Sequence, residues 1–412
     1  MNSSSLVKDY ISQVDYLQGS LGDMRRTLIE WANINSGSSN LPGLHSMHQI
    51  LKQHFKSLGG QITSLAGQSF EAIDIHGNKF IQHTGQILTI KKRWDSPNKV
   101  LLCGHMDTVF SENSPFQSVI ELSNNRLNGP GVADMKGGLL VMLYALQALE
   151  QSPWANEIGW QVVINADEEI GSLGSRFFLE KVAKEADVGL VYEPSMTEDG
   201  VFAGLRKGSG KFSIIVEGKQ AHAGRAFYQG RNAICHLSEL ITEINNLNSP
   251  ASQLTINVGH ISGGIALNVV PDLAIAKLDV RFQTDSEKTF FIKEINLLIE
   301  KYNKKNGFIV KLFGDFSRPA KPLTKGTLKL FEALSQVGVM LNLPVSWQPS
   351  GGCCDGNNLS AQGLPVIDTL GVRGGLIHSA QEFMICDSLV ERSQLSALLL
   401  MTLARGAIKE FK

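Results

Sequence analysis

Three apolar runs in this chain each end on acidic or histidine residues, and helical patterns join each run to the next. Residues 99–103 run into Gly104-His105-Met106-Asp107-Thr108, residues 159–165 into Asp167-Glu168-Glu169, and residues 188–192 into Glu193-Pro194. Apolar spacing of about 3.6 residues predicts helices over residues 135–150 and 172–186 between them. Strand, helix, strand, helix, strand is the pattern of a sheet with parallel members and helices on its faces. In such sheets ligands gather beyond the C-terminal ends of the strands, which is where these side chains fall.

The texture changes after Lys207. Strand patterns at 211–217, 255–261, 273–282 and 308–313 alternate with helical patterns at 232–247 and 289–302. The order is βαββαβ, the split unit of ferredoxin-like folds. We therefore expect an inserted α+β domain over residues 209–318. It divides a larger α/β domain with a mixed sheet into a first part, residues 1–208, and a second, residues 319–412. Further helices are expected at 8–33, 45–58, 323–341 and 387–409, and a strand at 366–370. A chain of 412 residues is long enough for two such cores.

Composition narrows the function by exclusion. Lys plus Arg number 38 and Asp plus Glu 39, so no electrostatic footprint for nucleic acid or an anionic membrane is expected. No apolar run reaches the roughly 18 residues of a membrane span. The polar start, with Asp9 and Asp15, does not read as a secretory signal. The five cysteines have neither zinc-finger nor disulfide-framework spacing. The cytoplasm is the expected compartment.

Taken singly, the chemical residues have plain readings. His105 and Asp107, two apart at a strand end, can point the same way, so that a carboxylate orients a metal-binding imidazole; His-x-Asp is also a common structural pair. Asp134 precedes a helix and suits an N-cap as well as a metal. Glu168 and Glu169 are adjacent carboxylates whose burial is costly without cations; a solvated loop would leave them unremarkable. Glu193 ends a strand, and His378 follows Gly374-Gly375-Leu376-Ile377. Mixed histidine and carboxylate donors suit zinc, with cobalt or manganese as alternatives.

The combination says more. Gly104-His105-Met106-Asp107-Thr108-Val109, the segment Gly129 to Gly138, Asp167-Glu168-Glu169-Ile170-Gly171-Ser172 and Glu193-Pro194 follow in order. Ala221-His222-Ala223-Gly224, Asn268-Val269-Val270-Pro271 and Gly375-Leu376-Ile377-His378-Ser379 complete the series. With these motifs the chain resembles the zinc metallopeptidase family of glutamate carboxypeptidase, aminoacylase, acetylornithine deacetylase and succinyl-diaminopimelate desuccinylase. It is most similar to the bacterial glutamate carboxypeptidase type.

The resemblance implies two Zn2+ per subunit, with Co2+ or Mn2+ as alternatives. His105, Asp134 and Glu193 would hold one; Asp134, Glu169 and His378 would hold the other, with Asp134 bridging. It implies a cis peptide after Asp134, Glu168 as general base and Asp107 as the group orienting His105. His222 would reach across a homodimer, built through the inserted domain, to act as an oxyanion donor in the partner's site. Arg318 would grip a substrate carboxylate, assisted by Asn268 and the Gly-rich segment at Gly352. An interdomain salt bridge is the other reading of Arg318, and a surface turn histidine the other reading of His222.

The implied activity is hydrolysis of an amide bond beside a C-terminal carboxylate in a small peptide, with glutamate a candidate product. A deacylase of N-acyl amino acids is the alternative enzyme, and a non-catalytic metal-binding dimer the alternative of another class. Glu at position 193 resembles carboxypeptidases and deacylases, whereas aminopeptidases of the family carry Asp. The chain departs from its relatives at Gly351-Gly352-Cys353-Cys354-Asp355, where two thiols replace smaller or hydroxyl side chains.

Overall fold

Residues 9–410 are described by the computed structural model. The main sheet has six strands: β1 (Gln61–Leu65), β2 (Ile87–Lys92), β3 (Lys99–His105), β4 (Gly159–Asn165), β5 (Val188–Val191) and β6 (Val366–Ile367), in spatial order β1-β2-β4-β3-β5-β6. The last four strands in that order run parallel, and β1 and β2 add an antiparallel edge. Alternation along the parallel strands fills two cores. Val100, Leu102, Val162 and Ile164 face the larger one, with helices Lys136–Gln151 and Ser388–Ala404. Leu101, Cys103 and Val163 face the smaller one, against helix Arg176–Ala183 and Leu359.

The βαββαβ order read from the sequence is the order observed. Strands Thr255–Gly263, Leu273–Phe282, Gly208–Glu217 and Ile309–Arg318 form an antiparallel sheet in that spatial order. Helices Ala233–Asn245 and Asp285–Asn303 cover one face. Phe212, Ile214 and Val216 meet Leu237, Leu240, Phe291 and Ile295 in a cluster separate from the cores of the main sheet.

Several boundaries differ from the sequence reading. The opening helix is interrupted: a 3-10 turn at Asp15–Ser20 precedes helix Leu21–Ala32, and Lys8 lies outside the described residues. Gly19, Ser20 and Gly22 weaken a continuous helix there. The helix expected from residue 172 begins at Arg176 instead, because Ser172 adopts a left-handed backbone conformation at φ 54°. Among the described residues no helix is long and apolar enough to cross a membrane.

Candidate metal centre

Parallel pairing brings the strand ends together. In the ladder His105 lies beside Asn165, and Cys103 beside Val191, so the segments after β4 and β5 flank the end of β3. Glu168, His105 and Glu193 thereby reach one rim. Asp134 arrives from the turn that opens helix Lys136–Gln151, and the Asp134–Met135 peptide is cis. His378 arrives on a loop between Gly374–Gly375 and Phe383–Ile385, a hairpin that pairs with Arg126–Asn128.

Asp134 stands between two groups of donors. Its Oδ1 lies 3.2 Å from His105 Nε2, and its Oδ2 lies 3.2 Å from His378 Nε2. Glu193 Oε2 is 3.7 Å from His105 Nε2, and Glu169 Oε2 is 3.3 Å from His378 Nε2. His105, Asp134 and Glu193 form one set, and Asp134, Glu169 and His378 another; in each, the donor atoms lie within 4.8 Å of one another. Both are sets of nitrogen and oxygen ligands suited to a divalent ion.

The electrostatics of the bare site call for cations. Burial pushes Glu193 above the usual carboxylate range and Glu169 up to about 7, with the Asp134 charge adding to the second shift. Burial also acts on Asp134, but hydrogen bonds from His105 and His378 outweigh it and hold that carboxyl low. Hydrogen bonds to Asp134 and Glu169 push His378 up to about 11. Protons thus neutralise a cluster that metal ions would otherwise neutralise, and metal binding would expel them. Glu169 Oε1 and Glu193 Oε1 are buried without a hydrogen-bond partner. Such orphaned acceptors fit an ion.

Asp134, Glu168, Glu169, Glu193 and His378 line one cavity of about 330 Å3, together with Arg206, Gly352 and Cys353. Comparison with known proteins agrees with this chemistry. The family described as Peptidase family M20/M25/M40 matches residues 101–402. The chain belongs to that family.

Members of the M20 family similar to this chain include carboxypeptidase G2 of Pseudomonas sp. (strain RS-16). It is 28% identical over 388 residues, which span 92% of this chain and 89% of that protein. A succinyl-diaminopimelate desuccinylase of Pseudoalteromonas translucida is 28% identical over 320 residues, 73% of this chain and 82% of that one. The fold matches the crystal structure of a tripeptidase from Staphylococcus aureus with a TM-score of 0.71 at 23% identity, over 93% of this chain and 99% of that one. The resemblance read from the motifs is thus borne out: the chain is a member of a metallopeptidase and amidohydrolase family.

The M20 site includes supports that no motif announced. Glu382 Oε1 accepts the main-chain N–H groups of Ala133 and Asp134, each at 3.0 Å, and so fixes the turn that carries Asp134. Ser38 donates to Asp107 Oδ2 at 2.7 Å. Asp107 contacts His105 and also supports the neighbouring loop. His105 Nδ1 lies 2.9 Å from the main-chain carbonyl of Asp107 and 3.4 Å from its carboxylate. That carboxylate accepts the N–H groups of Glu168 and Glu169, at 3.1 and 3.2 Å. It therefore orders the loop of both glutamates, and both its backbone carbonyl and its carboxylate face the imidazole.

Arg318 contacts Glu168, one of the residues lining the cavity. Arg318 itself is 3% exposed and is not among the residues lining the cavity. Its Nη2 donates to Glu168 Oε1 at 2.7 Å and to Ser172 Oγ at 2.9 Å, and its Nη1 donates to Asp355 Oδ1 at 2.5 Å. In this conformation the guanidinium is held by ion pairs to Glu168 and Asp355. The guanidinium that does line the cavity belongs to Arg206. Its Nη2 pairs with Asp368 at 2.9 Å, and Lys321 Nζ takes the other Asp368 oxygen at 2.9 Å.

His222 and Asn268 are not brought to the cavity of their own chain. They lie side by side on an exposed two-stranded ladder in which His222 pairs with Val269 and the Asn268 carbonyl accepts the Ala223 N–H at 2.9 Å. Gly352 does line the cavity, and its carbonyl accepts from Arg206 Nη1 at 3.3 Å.

Proposed function

We propose that this protein is a dinuclear zinc hydrolase that cleaves an amide bond next to a free carboxylate in small peptides or N-acyl amino acids. The observation that carries the reading is Asp134, whose two oxygens each face a different histidine at 3.2 Å, with a glutamate completing each set. Zinc ions held there would supply Lewis acidity, polarising the scissile carbonyl and acidifying water. His105, Asp134 and Glu193 would hold one ion, and Asp134, Glu169 and His378 the other.

The protein's own groups do the rest. Glu168, in the cavity wall, takes a proton from the attacking water and passes it to the leaving nitrogen. Arg318 keeps the Glu168 carboxylate in place through the 2.7 Å contact. Arg206 faces the substrate carboxylate: Arg206 and Lys321 set two buried cations against the single carboxylate of Asp368, leaving a surplus positive charge at the cavity wall. Arginine suits this task because its planar fork matches a carboxylate. A substrate with a free carboxylate makes use of that charge, which favours carboxypeptidase or deacylase action over release of a free N-terminal residue.

We also propose a homodimer through the inserted domain, with His222 and Asn268 completing the partner's cavity. Supporting this, the loops beside both residues expose Tyr228, Ile265 and Leu267, the last with no burial at all. Exposed apolar groups clustered on one face mark an interaction surface. A purely metal-binding role would leave Glu168 and its ordered loop without a purpose.

The test is hydrolysis of acyl-glutamate, acyl-lysine and unblocked dipeptides by the zinc-loaded protein, before and after chelation. Chelator-sensitive cleavage of the first two classes supports the proposal, and the better of them separates the acidic from the basic preference. Cleavage of substrates whose carboxylate has been amidated, at undiminished rate, would remove the carboxylate from the account.

A further inference from the structure

The two thiols at 353 and 354 differ from each other in their surroundings. Cys354 is buried, and burial pushes its thiol well above the ordinary value. The backbone at Cys354 is extended, and its side chain is nonetheless among those lining the cavity of the metal-ligand sets. Cys353 is half-buried and lines the cavity that holds the metal-ligand sets. Its Sγ lies 3.2 Å from Arg281 Nη1 and donates to the Lys207 carbonyl at 3.1 Å. Asp279 engages Arg281 through Nε at 2.6 Å and Nη2 at 3.0 Å, which leaves Nη1 turned to the sulfur. Arg206, more than nine-tenths buried, lines the same cavity, and its Nε has no hydrogen-bond partner.

We propose that Cys353 is a modification site at which small anionic disulfides form a mixed disulfide that closes the cavity. The thiolate is the reacting form of a cysteine. The Cys353 thiolate attacks one sulfur of the disulfide; a new S–S bond forms at Cys353 and the old one breaks. The departing thiolate takes up the proton that Cys353 released. Arg281 Nη1 beside the sulfur and the unpartnered Nε of Arg206 are the donors that an anionic disulfide would meet. Cys354 lines the same cavity but is buried, and burial keeps it a thiol, so it does not resolve the adduct and the mixed disulfide persists until an outside reductant removes it. A tripeptide held at Cys353 would occupy the cavity that Asp134, Glu168, Glu169, Glu193 and His378 also line.

The loss of hydrolysis rests on the proposed function; the adduct itself does not. Among the other cysteines, Cys103 and Cys386 are buried and Cys235 is exposed. The experiment therefore uses zinc-loaded Cys235→Ser protein, treated with oxidised glutathione or with cationic cystamine, and maps adducts by peptide mass. The expected result is an adduct on Cys353, formed faster with glutathione disulfide than with cystamine and slowed by added acyl-glutamate. Hydrolysis should fall in step with the fraction modified. A phosphine reductant should restore it with zinc content unchanged, and Cys353→Ser, whatever its starting rate, should not respond. If the native protein hydrolyses nothing, the proposed function fails, and the mapped adduct with its charge preference still decides this inference. Cys353 left unmodified in the native protein while the denatured chain reacts, or full modification with undiminished hydrolysis, would overturn it.

Discussion

Removing the Glu382 side chain should loosen the metal centre without touching a ligand. Glu382 Oε1 accepts the N–H groups of Ala133 and Asp134 at 3.0 Å, and both residues are buried. Glu382→Ala strands two buried donors, each costing about 1–3 kcal/mol, so about 2–6 kcal/mol of stability is at stake. The same turn aims Asp134 at both histidines, so zinc affinity should fall by about 10–100-fold, as for other lost supports of metal ligands. Urea denaturation of the cation-free protein and competitive zinc titration measure the two effects. Burial first, and then the Asp134 charge, push Glu382 from the ordinary 4.5 up to about 8. In cation-free protein near neutral pH the side chain is thus largely protonated, and Glu382→Gln should recover most of both losses. Between those two values the folded chain holds a proton that the unfolded chain has released, so stability falls as pH rises through the window. Gln should flatten that slope. A stability change below about 0.5 kcal/mol in Glu382→Ala, less than the cost of one stranded donor, with unchanged zinc affinity, would refute the reasoning.

Three further outcomes are expected. Glu168→Gln should keep its zinc and lose about two to four orders of magnitude in turnover, the usual weight of a general acid–base; near-normal turnover would take Glu168 out of the reaction. Arg318→Ala leaves the buried carboxylates of Glu168 and Asp355 without their cation and should cost about 3–5 kcal/mol by denaturant titration, whereas a surface-like loss would contradict the salt-bridge assignment. Mixing Glu168→Gln with His222→Ala protomers should restore some active sites if His222 serves the partner's cavity, and mixtures that stay inactive despite subunit exchange would rule that out.

Candidate ligands could be singled out from the sequence, and their grouping into two sets followed from the family resemblance. His105, Glu168, Glu169 and Glu193 follow directly on apolar strands, and parallel strands must bring such ends to one rim. The supports were not legible, because each depends on a contact between distant parts of the chain. Glu382 meets Asp134 from 248 residues away, and Ser38 meets Asp107 from 69. Neither lies in a pattern with a period. Arg318 carried two readings, and its contacts with Glu168, Ser172 and Asp355 again join distant parts of the chain. The edge strands β1 and β2 also escaped. Residues Gln61–Leu65 are polar and partly exposed, and neither strand ends in chemically marked residues. The inserted unit was easier, because alternating runs such as Gly208–Glu217 and Leu273–Phe282 bury every second residue against the helices.

The central claim is that one carboxylate, Asp134, organises two metal sites. Zinc titration of the cation-free protein, read as bound metal per chain, tests it most directly. The account predicts about two zinc ions for the native chain, about one for His378→Ala and a loss of both for Asp134→Ala. A native chain that binds a single ion or none, or an Asp134→Ala protein that keeps both, would contradict it.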